Sequence, residues 1–354
     1  MQSSASGPSA RPHRAPAVRS AFTLLELLIA IAIIGILASL VLTVAGSARK
    51  QATNTQVSVD IQDLAKGIAS FKQKFGVEPP SHVTLYEQAS GWSGDPRSMG
   101  IIRQIWPQFD FTYAAEGGQI DINGDGFFDG DGTTNPAAGA IPLSGAECLV
   151  FFLGGVPGNP AGTYPNHYFR SPVAPAGAPS GFSQNPADPF NVLTQTTAGV
   201  QTRTVVGTNR DRFAELDFSR LFLYVPNSAN PASQHVVNIY RDTLPGQTQP
   251  YLYYSSYNGQ GYDVANEVQP SPPGGTFTDV YRQGPNGFTS SSPSPPWNPN
   301  SYQIISPGAD TFYGVGGQYD QNNAGTLLVN TPGGSQRAPE RDNITNFSSG
   351  PLAP

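Results

Sequence analysis

Sulfur and charge are both scarce in this chain. A single cysteine, Cys148, among 354 residues excludes an internal disulfide framework, a four-cysteine zinc site and a CxxC redox pair. Charged residues make up only 12%, about half the usual globular share, which speaks against long helices standing in solvent. Basic residues are outnumbered, 19 Lys and Arg against 25 Asp and Glu, for a formal charge of -6. No nucleic-acid partner is expected, because phosphate binding requires a basic face that releases counterions. Catalytic signatures are missing too: no HExxH helix, GxSxG elbow or GxxxxGK[ST] loop occurs. His82, His167 and His235 read as surface histidines, and Cys148, in an apolar run with no adjacent base, reads as a buried inert thiol. No enzyme is expected. What abounds is glycine and proline, 39 and 34 residues, the composition of long loops.

Acidic residues are absent from positions 1–21, where Arg11, Arg14 and Arg19 accompany several Pro and Ser; this stretch is not expected to fold. From Phe22 to Gly46 follow 25 residues with one ionisable side chain, Glu26. A helix of that length measures roughly 37 Å, against about 30 Å for a hydrocarbon core. The leading arginines, against Arg49 and Lys50 and a long polar body, favour a cytoplasmic leader and an exported body. An ordinary secretory signal, with Gly46-Ser47-Ala48 as its cleavage site, has a shorter apolar core than this. A plain single-pass anchor gives no reason for a carboxylate five residues into the run. Such an acid is a functional hypothesis that calls for a partner.

Ala21-Phe22-Thr23-Leu24-Leu25-Glu26, continued by Gly35-Ile36-Leu37-Ala38-Ser39-Leu40, resembles the cleavage and methylation motif of type IV prepilins and type II secretion pseudopilins. The resemblance covers about the first 60 residues. It implies that a prepilin peptidase cuts between Ala21 and Phe22 and methylates the new amine. Ala21 stands where the family usually has Gly, and Thr43 where a kinking Pro is common, with Gly46 the weak point of the helix. Cleavage would create a cationic amine at Phe22, which Glu26 of an adjacent subunit neutralises inside an apolar bundle.

Val57, Ile61, Leu64, Ile68, Phe71 and Phe75 recur at alternating intervals of four and three, one side of an amphipathic helix. Gly76 and Pro79-Pro80 should end it. One helix from Phe22 to about Phe75 would run roughly 80 Å. Beyond Pro80 the chain reads as short strands in long loops, at 221–225, 235–240, 251–254, 302–305 and 326–329. The run 147–153 is ambiguous between helix and buried strand, and the Pro-rich stretch 270–300 reads as a surface excursion without ladder donors. The expected class is α+β: a long N-terminal helix, membrane-spanning in its first half and amphipathic in its second, packed on an antiparallel sheet with long Gly/Pro-rich loops. The divisions are a leader at 1–21, a membrane and filament-core helix at 22–46, a helical extension at 47–76 and an exported head at 77–354.

One acidic loop stands out in the head. Asp121, Asn123, Asp125 and Asp129 occupy positions 1, 3, 5 and 9 of an EF-hand-type loop, with Gly126 at 6 and the Phe127 carbonyl at 7. Position 12 is Gly132, so closure must come from Asp131 or a distant residue. A solvated Asx-rich turn is the plain alternative. A second loop, Ser306-Pro307-Gly308-Ala309-Asp310 with the tail around Asp342, is similar to the calcium-binding region of major pseudopilins, which implies Asp310 and then Asp342 as ligands, with a Gly-rich β-turn bearing a solvated Asp as the plain alternative. Bound Ca2+ is therefore expected as a structural ion.

The sequence as a whole points to a filament subunit of a pilus-like or type II secretion pseudopilus system. Its expected partners are other pilin or pseudopilin subunits, the prepilin peptidase, an inner-membrane assembly platform and membrane lipid. A membrane-anchored, exported, calcium-stabilised binding protein that does not polymerise is the alternative.

Overall fold

The computed structural model describes residues 23–123, 128, 139–157, 179–197, 200–205, 209–223, 237–264, 279–284, 294–320 and 334–352. The expected leader, the strand at 326–329, and His167 and His235 lie outside them. The chain divides into two units, Met1–Gln51 and Ala52–Pro354.

Helix α1 (Leu24–Phe75) spans the expected apolar run and its amphipathic extension and continues unbroken through Gly46. It stops where glycine permits it, with Gly76 at φ 77° and its amide on the Lys72 carbonyl. Within the second unit, Val57, Ile61, Leu64, Ile68 and Phe71 are buried in the core, as their spacing predicts. Phe71 packs edge-on to Phe152 and Phe213, with centroids 5.9 and 5.1 Å away, and Phe75 likewise meets Trp106 at 5.4 Å. Gly67 is required here: a Cβ at that position would lie 2.9 Å from the Phe213 carbonyl. Strands β1 (Val83–Tyr86) and β2 (Ala140–Leu143) form an antiparallel pair, with short helices α2 (Ala89–Trp92) and α3 (Pro96–Ile105) between them.

Those helices correct the reading of everything past Pro80 as strand and loop. Asp95 caps α3, accepting from the Ser98 amide at 2.9 Å, and Pro96 sits at the first helical position, where a missing N–H costs nothing. The ambiguous run 147–153 is helix α4 (Gly145–Gly154), buried along its whole length. Ser144 and Glu147 form its capping box: the Ser144 amide and hydroxyl donate to Glu147 Oε2 at 2.9 and 2.7 Å.

Among the described residues the expected antiparallel sheet is instead six small ones. Antiparallel pairs join β3 (Phe182–Ser183) to β6 (Arg210–Asp211), β4 (Val192–Thr197) to β5 (Val200–Val205), and β7 (Leu221–Leu223) to β8 (Asn238–Tyr240). Strand β9 (Leu252–Ser255) pairs with β11 (Tyr302–Ser306), which carries β13 (Ile344–Thr345) on its far edge. Strand β10 (Tyr281–Gln283) pairs in parallel with β12 (Gly317–Tyr319). The stretch 270–300 thus contributes a ladder strand, because Tyr281, Arg282 and Gln283 keep their amides between prolines. Frequent Gly and Pro stop each strand within a few residues, which prevents one wide sheet.

The three-stranded sheet divides two cores. Tyr253 and Ile304 face the cluster that contains α1 and α4, whereas Leu252, Tyr254 and Ile305 face a second cluster with Val280, Tyr281, Tyr313 and Tyr319. This is the period-two alternation of a strand buried on both faces.

Candidate functional site

Ala21 and Phe22, the expected cleavage pair, lie outside the described residues; Thr23 and Glu26 are described. The Thr23 amide and hydroxyl donate to Glu26 Oε2 at 2.9 and 3.0 Å, and the Glu26 amide donates to Thr23 Oγ1 at 3.2 Å. The carboxylate therefore closes a capping box at the positive end of the helix dipole. Beyond it the surface is apolar on every side: Leu24 is 88% exposed and Ile34 and Ile36 63%, with Leu25, Leu27, Leu28, Ile29, Ile31, Ile33 and Leu37 also exposed. Among the described residues no helix is long and apolar enough to cross a membrane. The expected span at 22–46 includes side chains at 22 and 40–44 that lie outside them.

The acidic loop is described only at its entrance, 121–123, and at Phe128. Asp121 and Asn123 are fully buried, while Asp125, Phe127, Asp129 and Asp131 lie outside the described residues. Beside the entrance stands Glu87, also fully buried, at the end of the β1 segment. Its Oε1 accepts the amides of Ile122 and Asn123 at 3.0 and 3.4 Å, and its backbone is bonded to Gly139 and Ile120. Gln88 Nε2 donates to the Phe128 carbonyl at 2.8 Å. The structure thus brings a carboxylate from far along the chain against the loop, a residue that the loop's own spacing could not reveal. Among the described residues no three His, Cys, Asp or Glu side chains converge as a metal site.

Asp310 is brought together with Asp342 rather than with the first loop's entrance. Asp342 Oδ2 accepts the amides of Ala309 and Asp310 at 2.7 and 3.1 Å, and Asp310 Oδ1 accepts that of Phe312 at 2.8 Å. Burial, reinforced by the Asp342 charge, raises the Asp310 carboxyl above its usual range. Gly308, at φ 70°, lies so close that a Cβ would overlap Asp342. Behind the glycine-rich stretch the fully buried Arg337–Glu340 ion pair, 2.8 Å long, accepts the Val315 and Gly316 amides on Glu340 Oε1.

Cys148 is fully buried, its Sγ donating to the Leu143 carbonyl at 3.8 Å. His82, expected at the surface, is half-buried, and its Nδ1 has no hydrogen-bond partner. Burial first, then the Arg97 charge, lowers its pKa.

The first part of α1, from Leu24 to Leu37, exposes apolar side chains all round and precedes a folded α+β unit. Residues 17–42 match the prokaryotic N-terminal methylation motif, the prepilin-type signature of type IV pilins and pseudopilins, and the chain carries that signature. No curated protein and no solved structure matches the chain.

Proposed function

We propose that the chain is a structural subunit, without turnover, of a type IV pilus-like or type II secretion pseudopilus filament. The observation that carries this reading is the prepilin signature at 17–42 on a helix whose leucines and isoleucines from Leu24 to Leu37 are exposed all round. In this reading the precursor sits in the inner membrane with its leader in the cytoplasm and its head exported. Prepilin peptidase removes residues 1–21, and the new Phe22 amine pairs with Glu26 of a neighbouring subunit as helices pass from lipid to filament core. The pairing offsets two charges that would each be costly alone in apolar surroundings.

Calcium belongs to the same proposal. The supporting features are the buried oxygens of Asp121 and Asn123, the ligand spacing continued by Asp125, Phe127 and Asp129, and the buried Glu87 carboxylate on the Ile122 and Asn123 amides, which we propose in place of the missing twelfth ligand. A bound ion would fix the loop to the end of β1. Asp310 with Asp342 is the second proposed position, its ordered Gly308 turn being the supporting feature.

One observation favours the non-polymerising alternative: Glu26 is already satisfied within its own chain by Thr23. Intact mass separates the two readings. A mature protein starting at a methylated Phe22, found in filaments that Glu26→Ala abolishes without affecting insertion or cleavage, supports the first. A working protein that retains Met1 and its arginine-bearing leader leaves only the anchored head.

A further inference from the structure

A polar cleft of about 310 Å³ opens in the head between α3 and the turn that follows β9, within the size range of small-molecule sites. Helical spacing builds one wall. Arg97, Ile101 and Gln104 lie four and three residues apart and share a stripe of α3, while Ser98, Ile102 and Ile105 are buried on the next stripe. Tyr257, Gln260 and Asp263 form the other wall. Arg97 Nη2 donates to Asp263 Oδ2 at 2.7 Å and ties the walls together. The Tyr257 hydroxyl donates to the His82 carbonyl at 3.4 Å, beside the start of β1.

The turn is held in a strained shape. Tyr257 and Asn258 both adopt left-handed backbone, at φ 50° and 59°, and among the described residues no other two successive non-glycine residues do so. Ser256 gathers the turn: its carbonyl accepts the Gly259 and Gly261 amides at 3.1 Å, and its own amide donates to the Ser301 carbonyl at 2.7 Å. The Tyr257 amide donates to the Ser255 hydroxyl at 3.1 Å. Strain of this kind persists only where the surroundings over-determine it, and it gathers at ligand sites.

The chemistry of the walls selects the ligand. An anion drawn to Arg97 meets Asp263 beside it, and a cation drawn to Asp263 meets Arg97, so the cleft favours a neutral, polar molecule. Donors and acceptors alternate. The exposed Gln104 and Gln260 amides each offer both, the guanidinium donates and the carboxylate accepts. A hydroxyl is also both, and hydroxyls on adjacent carbons match planar two-point groups of this kind. Tyr257 supplies an aromatic face and Ile101 an apolar edge for the carbon side of such a molecule. Among the described residues lining the cleft Asp263 is the one carboxylate, so the acid pair of glycoside hydrolysis is not assembled there.

We propose that this cleft is a saccharide-binding site, which takes a neutral pyranose by its adjacent hydroxyls on Arg97, Gln104, Gln260 and Asp263 and by its C–H face on Tyr257. Saturation-transfer NMR on the full chain, in a detergent without a sugar headgroup, tests this with D-glucose, D-galactose, D-mannose and N-acetylglucosamine as probes and acetate and choline as charged controls. At least one neutral sugar should show transfer to its ring protons, with Kd on the order of 1 mM. Tyr257→Asn removes the ring and keeps a residue that tolerates left-handed backbone; it should weaken binding roughly tenfold, as should Gln104→Ala combined with Gln260→Ala. Methyl glycosides run beside the free sugars separate the two sources of such a ring: binding of both supports a glycan end, binding of the free sugar alone a free sugar. Absence of transfer from every one of these sugars at about twentyfold above that Kd overturns the proposal. Transfer from the charged controls alone overturns it too, as does sugar binding that is unchanged in either variant while it remains folded.

Discussion

Thr23 and Glu26 hydrogen-bond reciprocally across the first turn of α1, so that the one acid in the apolar first half of the helix also closes its N-terminal capping box. Capping and charge pairing make different demands on the same side chain. Glu26→Gln keeps an acceptor for the Thr23 amide and removes the charge, whereas Thr23→Ala removes the hydroxyl and keeps the charge. If the charge drives assembly, Glu26→Gln gives inserted, cleaved subunits without filaments, and Thr23→Ala still gives filaments. Electron microscopy of sheared fractions, with intact mass as the processing control, reads both.

Asp60 anchors the docked half of α1. Its carboxylate receives both terminal guanidinium nitrogens of Arg220 and the Tyr251 hydroxyl, the latter at 2.6 Å, while Arg220 lies 4.1 Å over the Tyr240 ring. Only 17% of the Asp60 side chain and 14% of the Arg220 side chain is exposed. Asp60→Ala strands a mostly buried guanidinium and should destabilise the head by about 2–4 kcal/mol. Asp60→Ala with Arg220→Met should recover part of that loss. Thermal unfolding of the full chain in detergent measures the cycle; equal destabilisation by single and double variants would show that pairing is not what matters.

Calcium should stabilise the head. At a hundredfold excess over Kd a single site adds about 2.7 kcal/mol, visible as a higher melting temperature and slower proteolysis around 121–139. Asp125→Asn and Glu87→Gln should each reduce the calcium-dependent gain, and EGTA should abolish it. Calorimetry without binding heat at millimolar calcium would remove the ion from the description.

His82 predicts an acid limit to stability. Its pKa is lowered, by burial and then by Arg97, with Asp95 and Asp263 acting the other way. A group depressed in the folded state contributes stability above its unfolded value, about 6.5 for histidine, and loses it as pH falls through the lower folded value. His82→Gln should flatten the melting temperature between pH 6.5 and 5 relative to the wild type. An unchanged slope would assign the acid sensitivity to other groups.

One capping box and one N-cap show how much was legible beforehand. Ser144 and Glu147 stand three apart before an apolar run, the pattern that announces a helix start, and Asp95-Pro96 announces another; both signals lie in the sequence although the strand pattern around them dominated. Hydrophobic spacing placed Val57 to Phe71 on one face, and Gly76 set the end of the helix, because these depend on residues a turn apart.

The sequence by itself determined the leading apolar helix, its solitary acid, the methylation motif and the acidic loop, since each is a property of neighbours along the chain. Only the tertiary structure decided that Glu87 meets the Asp121 loop and that Asp60 receives Arg220 from 160 positions away. Those pairings arise when separate turns and strands close over shared cores, and no local spacing encodes which distant side chain a closing surface will bring near.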